Sequence, residues 1–288
     1  MEYHSMKELF AVADAEKCSP GIIACRVEAE ESGKSYEEIW ARMKYTIPIF
    51  RESIQKGLSD TSKSASGLVG GDANRLFTGH MRFISPLCQR AASYAIATAE
   101  ANAKMYRIVA CPTAGSCGIV PAVLSAVAEE TNASMYDITC ALFTAGAIGR
   151  VIAEKASIAG AVGGCQAECG AACGMAAAAA VDLLKGSTRQ IGNAFALALK
   201  NILGLVCDPV GGLVEVPCVK RNAAGAMIAM SSADMALAGI RSAVPPDEVI
   251  LAMREVGDKM DVSLKETGIG GVAGTPFGQK IAEKMEMG

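Results

Sequence analysis

Three cysteines, Cys165, Cys169 and Cys173, recur at i, i+4 and i+8 in GGCQAECGAACGM. On a regular helix they share one face, but the first and last lie about 12 Å apart at a rise of about 1.5 Å per residue. That is too far for all three to grip one compact cluster, so further ligands must come from elsewhere. The other sources are Cys207 in CDPV and Cys218 in VPC. Each sits beside a proline, which removes a backbone donor and biases the preceding residue away from helix, so both are expected in irregular loops. Cys165 follows Gly163 and Gly164 at an expected helix start, where the positive end of the helix dipole favours a thiolate. One cysteine at a helix N-terminus and two in proline-bounded loops can form a three-thiolate site. The chain has only two histidines, and no CxxC pair occurs. Such a donor set suits a [4Fe–4S] cluster with one iron left open to substrate better than it suits zinc. The competing reading is that these thiols are small buried hydrophobes. It is preferred for Cys18, Cys25, Cys88 and Cys140, which lie in apolar stretches with no loop context.

Two further loops carry groups that bind charged ligands. TSKSASGLVGGD (61–72) offers Lys63, the hydroxyls of Ser64 and Ser66, the glycines Gly67, Gly70 and Gly71, and Asp72. Glycine amides in such a stretch form anion-binding nests, suited to a carboxylate. The loop lacks the Lys-Ser/Thr ending of a nucleotide-binding loop, and an ordinary flexible loop is the plain alternative. PTAGSCG (112–118) reads as a turn leading into a helix. Free amides there, with Thr113, Ala114, Gly115 and Ser116, suit a carboxylate as well. His80 is a weak candidate for a base, and His4 reads as a solvated terminal residue. Two histidines do not assemble into a Ser/His/Asp set.

These loops need a scaffold, and composition says which kind. Hydrophobic residues make up 51% of the 288 and aromatics only 5%, with Ala and Gly abundant, so the core is built from close-packed small side chains. Lys plus Arg total 27 against 30 for Asp plus Glu, a net charge of −3, which gives no basic field for nucleic acid and no polybasic membrane patch. No long uninterrupted apolar run argues for a membrane span, with 141–153 and 222–240 the nearest candidates. The N-terminal segment does not read as an export signal, so a reducing, cytoplasmic setting is expected for the eleven cysteines, without a disulfide framework. Apolar periodicity predicts helices at about 6–10 and 36–47, then 84–106, 119–131, 134–154, 171–186, 189–203, 222–243 and 246–260. Ser35 with Glu38 has the spacing of a capping box. RIVAC (107–111) reads as a strand-like piece or buried connector. Residues 57–75, 157–165, 206–218 and 266–278 read as irregular. The expected fold is mainly α: a multi-helix domain with buried Ala/Gly-rich helices and irregular Gly/Pro loops forming the cluster site. Residues 1–57 form its helical N-terminal segment and 58–288 its catalytic part, within one continuous domain.

At SGLVGGDA, CPTAGSCGIVPAVL, SIAGAVGGCQAECGAACGMAAAAAVDLL, NILGLVCDPVGGLVEVPCVKRNA and ETGIGGVAGTP the sequence resembles the α chain of iron–sulfur-dependent L-serine dehydratases. The resemblance runs from about residue 60 onward. It implies that Cys165, Cys207 and Cys218, separated by 42 and 11 residues, are the cluster ligands, and that Cys169 and Cys173 are not. It implies a mainly α-helical fold and β-elimination of water from L-serine, giving pyruvate and ammonia without pyridoxal phosphate. It also implies a separate β subunit, a hetero-oligomer, and a catalytic base supplied by a histidine-bearing loop of that partner. Some single-chain members carry a terminal cysteine that approaches the cluster, whereas no cysteine follows Cys218 here. Two rival readings remain at this point. One is a related cluster-dependent lyase such as an L-cysteine desulfidase, and the other is a non-catalytic iron–sulfur redox sensor.

Overall fold

A computed structural model describes residues 2–286, so Met1, Met287 and Gly288 lie outside the account. Among the described residues there are thirteen α-helices and no strand. They are α1 Met6–Glu16, α2 Pro20–Ser32, α3 Tyr36–Ser59, α4 Asp72–Thr78, α5 Pro86–Ala103, α6 Ile119–Thr131, α7 Met135–Lys155, the single turn α8 Gly160–Gly163, α9 Ala171–Leu183, α10 Thr188–Lys200, α11 Cys218–Leu237, α12 Pro246–Lys259 and α13 Pro276–Glu286.

Their starts follow from local chemistry. Ser5, Ser19, Ser35, Ser85, Ser134 and Ser187 each cap a helix, the side chain accepting a backbone N–H of the first turn. Ser35 caps α3, but Glu38 turns away to pair with Arg42 instead of returning to the cap. The reciprocal box occurs at Ser187 and Gln190.

The centre of the fold is α9, in which every residue is buried. Its alanines are strong helix formers with no bulk on any side, so neighbours approach all round it. Helices α10, α7, α11 and α6 pack against it, while a second layer builds on α5 with α3, α4 and α11. One buried cluster runs from Tyr3, Met6 and Leu9 of the N-terminal segment through to Met253. By length and composition α7 is apolar enough to cross a membrane, yet 72% of its most apolar window is buried within the fold.

Close packing depends on missing side chains. A Cβ on Gly57 would stand 1.9 Å from the Ala97 carbonyl oxygen where α3 meets α5. Because backbone cannot yield as a side-chain tip does, Gly57→Ala is expected to cost about 3 kcal/mol and to lower Tm by about 6–12 °C. Thermal denaturation of the purified variant checks this, and an unchanged Tm contradicts the tight crossing.

The predicted helices at 119–131, 134–154 and 246–260 coincide with α6, α7 and α12 within a residue or so. Three departures matter. Helix α2 lay in a segment whose periodicity is weak because buried and exposed residues mix around it. The irregular stretches 57–75 and 266–278 contain the starts of α4 and α13. Helix α11 begins at Cys218 itself, so Cys218 is helical and not part of the loop that precedes it. A proline does not prevent this when it directly precedes the first helical residue, where backbone donors are free in any case. Residues 107–111 form a non-helical connector, exposed or half-exposed at 107–110 and buried at Cys111.

Candidate active site

Three irregular segments meet at the N-terminal ends of α9 and α11. In the first, Gly164 takes φ +77° and delivers Cys165 to the start of a π-helical turn, Gln166–Gly170, that leads into α9. Such a turn shifts the side-chain register, so Cys165 and Cys173 do not follow the simple i, i+8 spacing of an α-helix. Gln166 anchors the turn: its buried amide donates to the Met253 carbonyl at 2.9 Å and accepts from the Gly204 amide at 2.9 Å. The second segment carries Cys207, tied by its backbone to the C-terminal tail. Its N–H donates to the Leu264 carbonyl, and its carbonyl accepts from the Glu266 N–H at 2.7 Å. The third segment ends at Cys218, the first residue of α11.

All three thiols are buried, with Cys165 2%, Cys207 3% and Cys218 8% exposed. They lie near enough to raise one another's cost of ionisation. Burial pushes Cys218 up to about 12, and the neighbouring Cys165 adds to the shift. Burial also raises Cys207, with Glu168 and Cys165 adding to it. Cys165 moves the opposite way. A hydrogen bond from the Cys169 thiol, and then the Arg221 guanidinium, hold it below the ordinary thiol value. The Cys173 thiol points away, to the Gly225 carbonyl at 3.4 Å.

Arg221 is itself fixed. It donates to the Val206 carbonyl at 2.9 Å and to Asp208 Oδ1 at 2.8 Å, while Asp208 Oδ2 accepts from the Val272 N–H at 2.8 Å. This chain of contacts fastens the glycine-rich tail over the Cys207 loop.

The donor set can be tested against a multi-iron cluster. Among the described residues no three His, Cys, Asp or Glu side chains close on one point as ligands of a single ion do. A cube of iron and sulfide is larger than one ion, and its thiolates stand correspondingly apart. Three buried thiols from three separate segments fit that need. Glycine also clears room there: a Cβ on Gly160 would stand 2.9 Å from Cys207 Sγ and 2.7 Å from Glu168 Oε2.

The loops at 61–72 and 112–118 flank this centre. Thr113 Oγ1 donates to Glu168 Oε1 at 2.7 Å and lies 3.2 Å from Ser116 Oγ, with Ala114 exposed and Gly115 beneath it against Glu168. Asn222, fully buried, holds this loop to α11. It accepts from the Gly118 N–H at 2.9 Å and donates to the carbonyls of Gly115 at 2.8 Å and Cys218 at 2.9 Å. In the other loop, Ser64 donates to the buried Glu215 at 2.8 Å, and Ser66 also hydrogen-bonds Glu215, three residues before Cys218. The amides of Gly71 and Asp72 point inward to the buried carboxylate of Glu100, at 3.1 and 2.9 Å. The nest at that end of the loop is therefore filled by the chain's own anion. Asp72 pairs with Lys220 and Arg75. Lys63 and Gly67 are exposed, and Gly70 is buried with φ +128°.

His80 is exposed just beyond α4, and among the described residues no hydrogen bond or ion pair joins it to the thiols. His4 pairs with Glu2 and Glu154 at the surface. Glu168, Glu215, Asn222 and Arg221 were not singled out from the sequence. Glu168 alone carried a usable signal, being the one charged residue inside the cysteine-rich run.

A family model described as "Serine dehydratase alpha chain" matches residues 19–273. The probable L-serine dehydratase alpha chain of Bacillus subtilis is 48% identical over 286 residues, 98% of this chain and 95% of that one. The L-serine dehydratase alpha chain of Peptoniphilus asaccharolyticus is 44% identical over 257 residues, 88% of each chain. The L-serine dehydratase of Mycobacterium tuberculosis is 47% identical over 184 residues, which cover 62% of this chain but 40% of that longer one. The matched span takes in all three thiol segments and both flanking loops, and the chain belongs to the serine dehydratase alpha-chain family.

Proposed function

We propose that this chain is the α subunit of an L-serine dehydratase, a lyase that converts L-serine to pyruvate and ammonia with a separate β chain. In this reading Cys165, Cys207 and Cys218 hold a [4Fe–4S] cluster in the cytoplasm. The observation that carries it is the meeting of three buried thiols from three segments beside a loop of hydroxyls, with Arg221 favouring the thiolate at Cys165. When bound, a cluster with one iron lacking a protein ligand supplies a Lewis acid for the departing hydroxyl.

The chain's own residues do the rest. Thr113 presents its hydroxyl beside the centre with the buried Ser116 hydroxyl behind it, and the exposed Lys63 supplies a positive charge for the substrate carboxylate. The walls of α9 and α11 keep bulk water from the thiols, which strengthens each polar contact inside. Removal of the Cα proton and loss of the β-hydroxyl give aminoacrylate, which tautomerises and hydrolyses to pyruvate and ammonia. Neither histidine is tied to this centre, so the partner chain is assigned the base.

Assaying the anaerobically purified chain with and without its β partner tests this. Pyruvate from L-serine is expected only from the pair. Full activity from this chain alone removes the need for a partner's base. Sulfide release from L-cysteine at a higher kcat/KM than the serine reaction makes the desulfidase reading the better one. Iron without any turnover leaves a redox sensor.

A further inference from the structure

Glu168 stands apart from the other acids of the site. Asp208 has Arg221, Asp72 has Lys220, Glu215 has two serine donors and Glu100 has two backbone amides. The Glu168 carboxylate accepts from the Thr113 hydroxyl at one oxygen and, more weakly, from the Cys207 thiol at the other, 3.7 Å away. Among the described residues it has no cationic side-chain partner, and its charged neighbour is a second acid, Glu266. A half-buried carboxylate in such surroundings lacks the counter-charge that normally accompanies burial. The space beside it is kept clear on two sides. A Cβ on Gly115 would approach Oε1 to 3.3 Å, and one on Gly160 would approach Oε2 to 2.7 Å.

An amino-acid substrate brings one positive charge, its α-ammonium. We propose that Glu168 is the ammonium-binding residue, Thr113 fixing one carboxylate oxygen so that the other faces the substrate. It is thereby the group that restricts the site to α-amino acids. This rests on the serine dehydratase reading and adds to it the residue that selects the substrate class. Position supports the placement: Glu168 is three residues from Cys165, on the π-helical turn that Cys165 caps, and 3.7 Å from Cys207 Sγ, so a ligand at the thiols lies within its reach.

The test uses the anaerobic holoenzyme with its β chain and two probes: L-serine, and 3-hydroxypropanoate, which keeps the carboxylate and hydroxyl but lacks the ammonium. Glu168→Gln is expected to raise KM for L-serine by about 30-fold or more. In the same variant kcat should stay within about tenfold, inhibition by 3-hydroxypropanoate within about threefold, and iron content unchanged. A large fall in kcat at constant KM makes Glu168 an acid or base and overturns the assignment. So does equal weakening of both probes, or loss of iron from the variant, each of which makes Glu168 a scaffold residue. A wild-type holoenzyme that holds its iron yet binds neither probe overturns the serine reading itself, and this assignment with it.

Discussion

Replacing Cys165, Cys207 or Cys218 singly by alanine is expected to strip most of the iron from the anaerobically reconstituted protein. Pyruvate formation should fall by a factor of about 100 or more, because changing even the outer partners of a metal centre costs 10- to 100-fold. The contrast lies with Cys173→Ala. Cys173 is as deeply buried, but its thiol points to the Gly225 carbonyl. Removing that sulfur is expected to cost on the order of 1 kcal/mol of stability and leave the iron in place. Cys169→Ala is intermediate. It removes a buried thiol beside Cys165 without removing an assigned ligand, so iron is retained. Iron and sulfide analysis of all five variants decides the matter. Equal iron loss from Cys173→Ala and Cys165→Ala contradicts the ligand assignment.

The second large effect is expected at Asn222, which makes three buried hydrogen bonds joining the 113–118 loop to the first turn of α11. Asn222→Leu keeps the approximate volume but strands the Gly118 N–H and leaves the Gly115 carbonyl without this donor. A buried polar group without a partner costs about 1–3 kcal/mol, so the variant should lose about 2–5 kcal/mol. That magnitude predicts a drop in Tm of about 4–20 °C for a chain of this size. Because the bonds also align Cys218 with Thr113, activity per iron retained should fall further than that of Gly57→Ala, whose strain lies at a helix crossing on α3. Measuring both variants in one series separates a general loss of stability from a loss of alignment. Equal activity per iron in the two makes Asn222 an ordinary core residue.

How far the sequence speaks for the structure differs from element to element. The helices α6, α7 and α12 are readable because long helix-forming runs are bounded by clear stops and starts, Gly118 and Asn132 around α6, the Ser134 cap of α7 and the proline start of α12. Helix α9 is readable for the opposite reason, since a run of alanines without a polar face has to be central. Helix α2 is not, because its buried residues spread around the helix and leave no stripe. In the site, cysteine and glycine spacing isolates the three thiol segments, since these residue types mark chemistry and backbone freedom directly. The groups that fix them do not announce themselves. Asn222, Arg221 and Glu215 are polar residues in ordinary helical or loop context. Their roles come from partners about 100 to 150 residues away or from a short loop closure. The filling of the Gly71–Asp72 nest by Glu100 is equally hidden. A glycine-rich loop shows that an anion fits, but not that α5 already provides one.

The proposed function requires a cluster in this chain that turns over L-serine. Its most direct test is one anaerobic preparation of the chain with its β partner, analysed for iron, sulfide and pyruvate formation from L-serine in the same sample. Four irons and four sulfides per chain are expected, as a [4Fe–4S] cluster requires, with pyruvate released in step with iron content. A fully reconstituted sample that binds no iron, or that forms pyruvate at the same rate after its iron has been removed, contradicts it.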